Sequence, residues 1–234
     1  MRFSLCAQIT AEFTGTAFLL AAIIGSGIMG ERLSGGNVAI ALLANTIATG
    51  AALVALILAF GSVSGAHLNP AVTIADALGD GPPWRHVPAY IAAQCLGALS
   101  GTVIAHLMFG LPLFSLSHHR RSGGAQVFSE FVATFGLLVV IWGCSRLRAS
   151  AVPFGVGAYV TAAYWFTSST SFANPAVTLA RSLSDTFSGI RPFDAPLFIA
   201  AQICGAIAAT LLFRWFIPVL PKTVEGGCGD TRPC

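Results

Sequence analysis

The pentapeptide Asn69-Pro70-Ala71-Val72-Thr73 recurs unchanged as Asn174-Pro175-Ala176-Val177-Thr178, 105 residues later. Asn is a favoured helix N-cap and Pro a favoured first helical residue, so each copy opens a helix. Each copy also lies in an uncharged run too long for one membrane span: 43 residues between Arg32 and Asp76, and 32 between Arg148 and Arg181. A span needs roughly 20 apolar residues. The surplus in each run is apolar, too short to cross and headed by Asn-Pro, which predicts a re-entrant half-helix buried at membrane depth.

The flanks repeat as well. Ala-Glu-Phe at 11–13 returns as Ser-Glu-Phe at 129–131, and Ala92-Ala93-Gln94 with the following Gly97-Ala98 returns as Ala200-Ala201-Gln202 with Gly205-Ala206. The chain therefore reads as two halves of the order helix with a Glu, helix, half-helix, helix. Three full spans per half is an odd number, so the second copy lies inverted in the membrane. Inverted repeats whose broken helices meet at the midplane are a transport architecture. The expected fold is an all-α membrane protein with six transmembrane helices, placed at 10–29, 38–61, 86–109, 126–147, 152–168 and 194–216, plus the two half-helices. One membrane domain covers 1–234, with a first repeat at 1–117, a second at 118–218 and a C-terminal tail at 219–234.

Composition fits this reading and excludes others. Only 9% of the 234 residues are charged, 55% are hydrophobic and the mean hydropathy is +0.78. Soluble chains carry about 25% charge. The apolar segments do not alternate as outer-membrane strands do. Nucleic-acid binding, a soluble secreted enzyme and intrinsic disorder are excluded, and the lipid bilayer is the expected surrounding. The first apolar run has no cleavage-site signature, so it reads as a retained helix. Cys95, Cys144 and Cys204 sit in apolar runs and Cys6, Cys228 and Cys234 near the ends. No pair has metal-site spacing, so neither a metal nor a cofactor is expected. No nucleophile, base and orienting group stand together, so the chain is not expected to be an enzyme.

These residues, in this order, carry a resemblance. Glu12-Phe13, Ser64-Gly65-Ala66-His67-Leu68-Asn69-Pro70-Ala71, Gln94, Glu130-Phe131, Asn174-Pro175-Ala176 and Gln202 resemble the aquaporin, or major intrinsic protein, family over nearly the whole chain. The resemblance implies a homotetramer in the inner membrane, both termini cytoplasmic, with a passive pore for water and small neutral solutes in each subunit. It implies that Asn69 and Asn174 donate amide hydrogens at the pore centre, that His67 lines the cytoplasmic half, and that Glu12 and Glu130 support the re-entrant loops. The rival for the two Glu is a proton relay, as membrane carboxylates often are.

The sequence departs from the family where water and glycerol channels carry a filter Arg, the third position after the second Asn. Here it is Val177. By the family's offsets the other filter members are Thr49, Ala162 and Ser171, none aromatic and none charged. This implies a wide filter suited to polyols or neutral hydroxylated metalloids such as arsenous acid, as in the bacterial aquaglyceroporins linked to arsenic handling. The alternatives are a mainly water-conducting pore and a coupled secondary transporter. Arg181, one turn beyond Val177, either reaches into the outer vestibule and supplies positive potential there, or snorkels to the outer surface or pairs with Asp185. His118-His119-Arg120-Arg121 reads as a solvated loop between the halves. Cys228 and Cys234 flank a tail that reads as disordered, with thiolate binding of trivalent arsenic as the alternative. Gly97 with Gly101, and Gly205 with Ala209, are expected to let helices approach closely.

Overall fold

The computed structural model describes residues 3–79 and 81–216; the tail with Cys228 and Cys234 lies outside the described residues. Eight α-helices follow in order: α1 Leu5–Leu33, α2 Val38–Ser64, α3 Pro70–Leu78, α4 Val87–Phe109, α5 Gly124–Leu147, α6 Val152–Phe166, α7 Pro175–Arg181 and α8 Ala195–Phe216. Among the described residues there is no strand. All six expected spans and both half-helices are present, with α1 running several residues beyond 10–29 at each end. Among the described residues, five helices are long and apolar enough to cross a membrane. The sixth, α6, has 15 residues, about 22 Å at 1.5 Å per residue. A 3₁₀ turn at Ala149–Ala151 precedes it.

Local chemistry sets the ends of the half-helices. The Asn69 side chain accepts from Ala71 N at 2.9 Å, and that of Asn174 from Ala176 N at 3.0 Å. Pro follows each Asn at the first helical position, where a missing N–H costs nothing. The α3 helix spans nine residues and α7 seven, about 13 and 10 Å, so each reaches only part-way through the bilayer.

Helix packing relies on glycine at the crossings. A Cβ on Gly97 or Gly101 of α4 would strike the α1 carbonyls of Phe13 and Ala17. In the matching place on α8, a Cβ on Gly205 would lie 2.5 Å from the α5 carbonyl of Phe131. A third crossing, unannounced by the repeat, sets Gly50 of α2 against Gly157 of α6. With no hydrophobic gain between helices in lipid, such close backbone approach supplies dispersion contacts instead.

The half-helices exchange cores. Ala176, Val177 and Ala180 of α7 pack among Leu20 and Ile24 of α1 and Ala98 and Ala105 of α4. Ala71, Val72 and Ala75 of α3 pack among Leu137 and Leu138 of α5 and Ala206 and Ala209 of α8. Each repeat thus completes the other's interior, and the two meet along a shared internal passage.

Candidate pore and its filter

The two loops that enter the half-helices share a backbone pattern. Ala66 and Leu68 hold φ values of +46° and +50°, and their counterparts Ser171 and Ala173 hold +50° and +48°. Left-handed backbone costs a non-glycine residue about 1–2 kcal/mol, so something must enforce it. The enforcers are the buried carboxylates. Glu12 accepts from His67 N (2.9 Å), Leu68 N (2.7 Å), Ser64 Oγ (2.6 Å) and Gln94 Nε2 (2.8 Å). Glu130 accepts from Phe172 N and Ala173 N, both 2.9 Å, and from Gln202 Nε2 at 2.6 Å. Backbone N–H groups that would otherwise stand unpaired in a dry bundle are satisfied this way.

Each Gln gives its second N–H to the threonine of the repeated pentapeptide: Gln94 to Thr73 at 2.8 Å and Gln202 to Thr178 at 2.9 Å. Those hydroxyls in turn donate to the carbonyls of Asn69 and Asn174. The threonines went unassigned in the sequence reading, although their presence in both copies was the available signal.

The two Asn side chains bridge the halves. Asn69 Nδ2 donates to Ala173 O at 2.7 Å, and Asn174 Nδ2 donates to Leu68 O at 2.8 Å. An amide carries two N–H groups, so each Asn keeps a second donor beside the cavity that both line. That cavity, about 520 Å³, is lined at one end by Thr49, Tyr164, Ser171, Val177 and Arg181, at its middle by the two Asn, and at the other end by His67, Asp76 and Ser145. Backbone and amide groups of the two loops line it together with the apolar side chains of Leu53, Ile57, Leu137, Val156 and Val160. His67 holds Asp76 at 3.1 Å and Thr73 Oγ1 at 3.1 Å.

Thr49, Ser171 and Val177 are buried and share the first end of this cavity. Ala162 does not join them: it is exposed and absent from the lining. Successive helical residues turn by 100°, so 162 points about 200° away from 160 and 164, which do face inward. Tyr164 occupies the wall instead, with its hydroxyl 3.3 Å from Thr49 Oγ1. The ring therefore has an aromatic member, contrary to the expectation from fixed offsets. Ser171 Oγ is buried with no partner among the described residues, leaving a hydroxyl available to a solute.

Of two arginines at this end, Arg181 takes the inward one of its two readings and Arg121 was not foreseen. Arg181 is 2% exposed and lines the cavity, with its Nε donating to Ser188 O. It does not snorkel, and Asp185 accepts instead from His118 N at 2.9 Å. The loop between the halves is knitted down rather than freely solvated: Ser115 N and Ser117 N each donate, at 3.0 Å, to the carbonyls of Leu183 and Ser182. This brings in Arg121, whose Nε donates to Gly189 O (2.8 Å) and Nη1 to Ser169 O (3.1 Å). No repeat spacing marked Arg121. His118 and His119 are exposed, and no metal-binding group occurs among the described residues.

The profile of the Major intrinsic protein family matches residues 1–151 and again 143–230. The chain belongs to the major intrinsic protein family. It is 51% identical over 231 residues, 99% of both chains, to Aquaglyceroporin AqpS of Rhizobium meliloti (strain 1021). It is 34% identical over 219 residues to Aquaporin NIP1-1 of Oryza sativa subsp. japonica, covering 88% of this chain and 73% of that one. Its fold matches the X-ray structure of the aquaglyceroporin from Plasmodium falciparum with a TM-score of 0.74 at 22% identity, over 92% of this chain and 98% of the other. This member of the family is a multi-pass transmembrane channel protein of the aquaglyceroporin kind, and not an enzyme.

Proposed function

We propose that this major intrinsic protein is a passive channel for glycerol-like polyols and neutral hydroxylated metalloids such as arsenous acid, with some water. The observation that carries the reading is the single cavity running past both Asn caps, with the end ring of Thr49, Tyr164, Ser171 and Val177. A solute entering that ring sheds water. Hydroxyls of Thr49, Tyr164 and Ser171 offer replacement hydrogen bonds on one side, and Val177 and Val160 receive the carbon face of a polyol on the other. Further in, the spare amide hydrogens of Asn69 and Asn174 turn the solute's oxygen toward the half-helix ends, where partial positive charge repels cations. Glu12 and Glu130 act as loop braces in this scheme, not as a proton relay, because every donor around them is already committed.

The reading places His67 at the cytoplasmic end and Arg181 at the outer end, both termini cytoplasmic, and the channel as a homotetramer in the inner membrane. A second reading, a pore mainly for water, draws on Tyr164 and Arg181, which fill space that four small side chains would have left open. Proteoliposome shrinkage against water, glycerol, urea and arsenous acid in turn separates them. The first reading expects uptake of glycerol and arsenous acid, linear with concentration; water flux with glycerol excluded supports the second. Saturable uptake driven by an ion gradient would defeat both.

A further inference from the structure

We infer that Arg181 is the specificity-determining cation of this channel, delivering to the filter ring the positive charge that Val177 does not supply. The inference rests on the channel reading above. A helical side chain leaves its Cα tilted toward the helix N-terminus. On α7 that direction runs from Arg181 back toward Asn174, and the guanidinium does fold back that way. Its carbon lies 3.5 Å from the ring centroid of Phe172, a residue of the loop that precedes Asn174. The charge is thus returned toward the level of Ser171 and Val177 from an anchor one turn further out.

Three observations make this a barrier and not a structural ion pair. Arg181 is 2% exposed, yet it belongs to the cavity wall. Among the described residues no carboxylate lies within salt-bridge distance of it. Its Nε is instead tied to the carbonyl of Ser188, which orients the head without neutralising it. Arg121 stands over the same Phe172 ring at 5.0 Å, so a second guanidinium reinforces the field. A charge with no ion-pair partner in a poorly solvated passage acts with much less screening than at a surface, and the buried Glu130 nearby is already held by Phe172 N and Ala173 N. Neutral solutes pass it by hydrogen bonding; sodium ions and protons meet repulsion before they reach the two Asn. The small Val177 matters to this, since a guanidinium there would sit four residues from Arg181 on the same helix face and repel it.

The test measures sodium and proton leak, glycerol flux and melting temperature in proteoliposomes of the full chain. Arg181→Gln is expected to raise the cation leak about tenfold, the scale of one charge at ~10 Å in a medium of effective dielectric near 20. Glycerol flux is measured alongside to show that each variant still forms a conducting pore. Arg181→Lys should keep the leak low, and Val177→Arg combined with Arg181→Gln should restore the barrier. Phe172→Leu, which removes the ring that holds the guanidinium back, provides an arm independent of position 181 and should raise the leak to an intermediate level. A parental leak in any folded variant of the Arg181→Gln or Phe172→Leu pair, with glycerol flux intact, overturns the inference and leaves the channel reading standing. A lowered melting temperature with a parental leak overturns it too, since that is what a purely structural role produces. Parental vesicles impermeable to glycerol and arsenous acid would overturn the channel reading itself.

Discussion

Replacing Glu130 with Gln tests whether a carboxylate holds the second re-entrant loop in place. The parent carboxylate receives Phe172 N, Ala173 N and Gln202 Nε2 at 2.9, 2.9 and 2.6 Å. A Gln has one acceptor oxygen where Glu had two, and its amide would point donors at donors. At least one of these buried N–H groups then loses its partner, at a cost of about 1–3 kcal/mol. The surviving bonds weaken by roughly 1 kcal/mol as a charged acceptor becomes neutral. The left-handed Ser171 and Ala173 then lose the carboxylate that helps to hold them, so the loss falls on the loop geometry that shapes the filter. A total of about 3 kcal/mol corresponds to roughly a hundredfold change in an equilibrium constant. Glycerol flux per folded protein should fall at least about tenfold, and the melting temperature by about 6–12 °C at 2–4 °C per kcal/mol for a chain of this size. The assays are stopped-flow shrinkage and thermal unfolding in detergent. A folded Glu130→Gln protein with parental flux and melting refutes the brace. Flux that becomes insensitive to a pH gradient, where the parent is sensitive, would point to the proton relay instead.

Three further outcomes are expected. Val177→Arg should lower glycerol uptake by about tenfold, a barrier rise of about 1.4 kcal/mol, and leave water less affected; undiminished glycerol uptake in vesicles would remove position 177 from the filter. Gly205→Val puts side-chain atoms against Phe131 O and Phe135 N, at 2.5 and 3.0 Å from the new Cβ, and should cost about 1–3 kcal/mol of overpacking in a melting experiment. Burial alone would raise the pKa of Asp194, but hydrogen bonds from Arg191 and from Arg121 N, with the charges of Arg191 and Arg120, hold it below the usual carboxylate range. A depressed folded pKa means that this stabilisation is complete above the ordinary carboxylate pKa, near 4, and disappears as pH falls through the lower folded value. Asp194→Asn should therefore cost about 1 kcal/mol at neutral pH, and the gap in melting temperature from the parent should close on acidification.

The architecture was legible because two independent periodicities agreed, charge spacing in the membrane and identity between the halves. The pentapeptide repeat located both half-helices to the residue, and the paired Glu pointed to the braces of their loops; the paired Gln stood in the sequence only as part of the repeat. What escaped was whatever the repeat does not encode. Ala162 came from a fixed offset measured backwards from Asn174 across the turn at 167–170; the helical phase of α6 alone decides that Val160 and Tyr164 face inward. Arg181 had two readings in the sequence because spacing shows that Asp185 is four residues away without showing that His118 has claimed it. Arg121 reaches its place through loop–loop hydrogen bonds with residues some 50 to 70 positions away, a pairing with no local pattern. The glycine pair Gly50 and Gly157 was hidden for a related reason, since neither has a Gly or Ala four residues away in its own helix.

The crossed bonds from Asn69 to Ala173 and from Asn174 to Leu68 join residues 104 and 106 positions apart. They have a consequence for biogenesis. At about 5–20 residues per second, a ribosome needs roughly 5–20 s to supply the second partner after the first. For that interval the first half-helix has neither its amide acceptor nor the α5 and α8 surface against which it packs. The first three spans can enter the bilayer in sequence, but the lumen can close only as a last, concerted act once the second half has arrived. A ribosome-stalled or truncated first half should therefore expose its loop to proteases and labelling reagents, and the permeation path comes into being all at once at the end of synthesis.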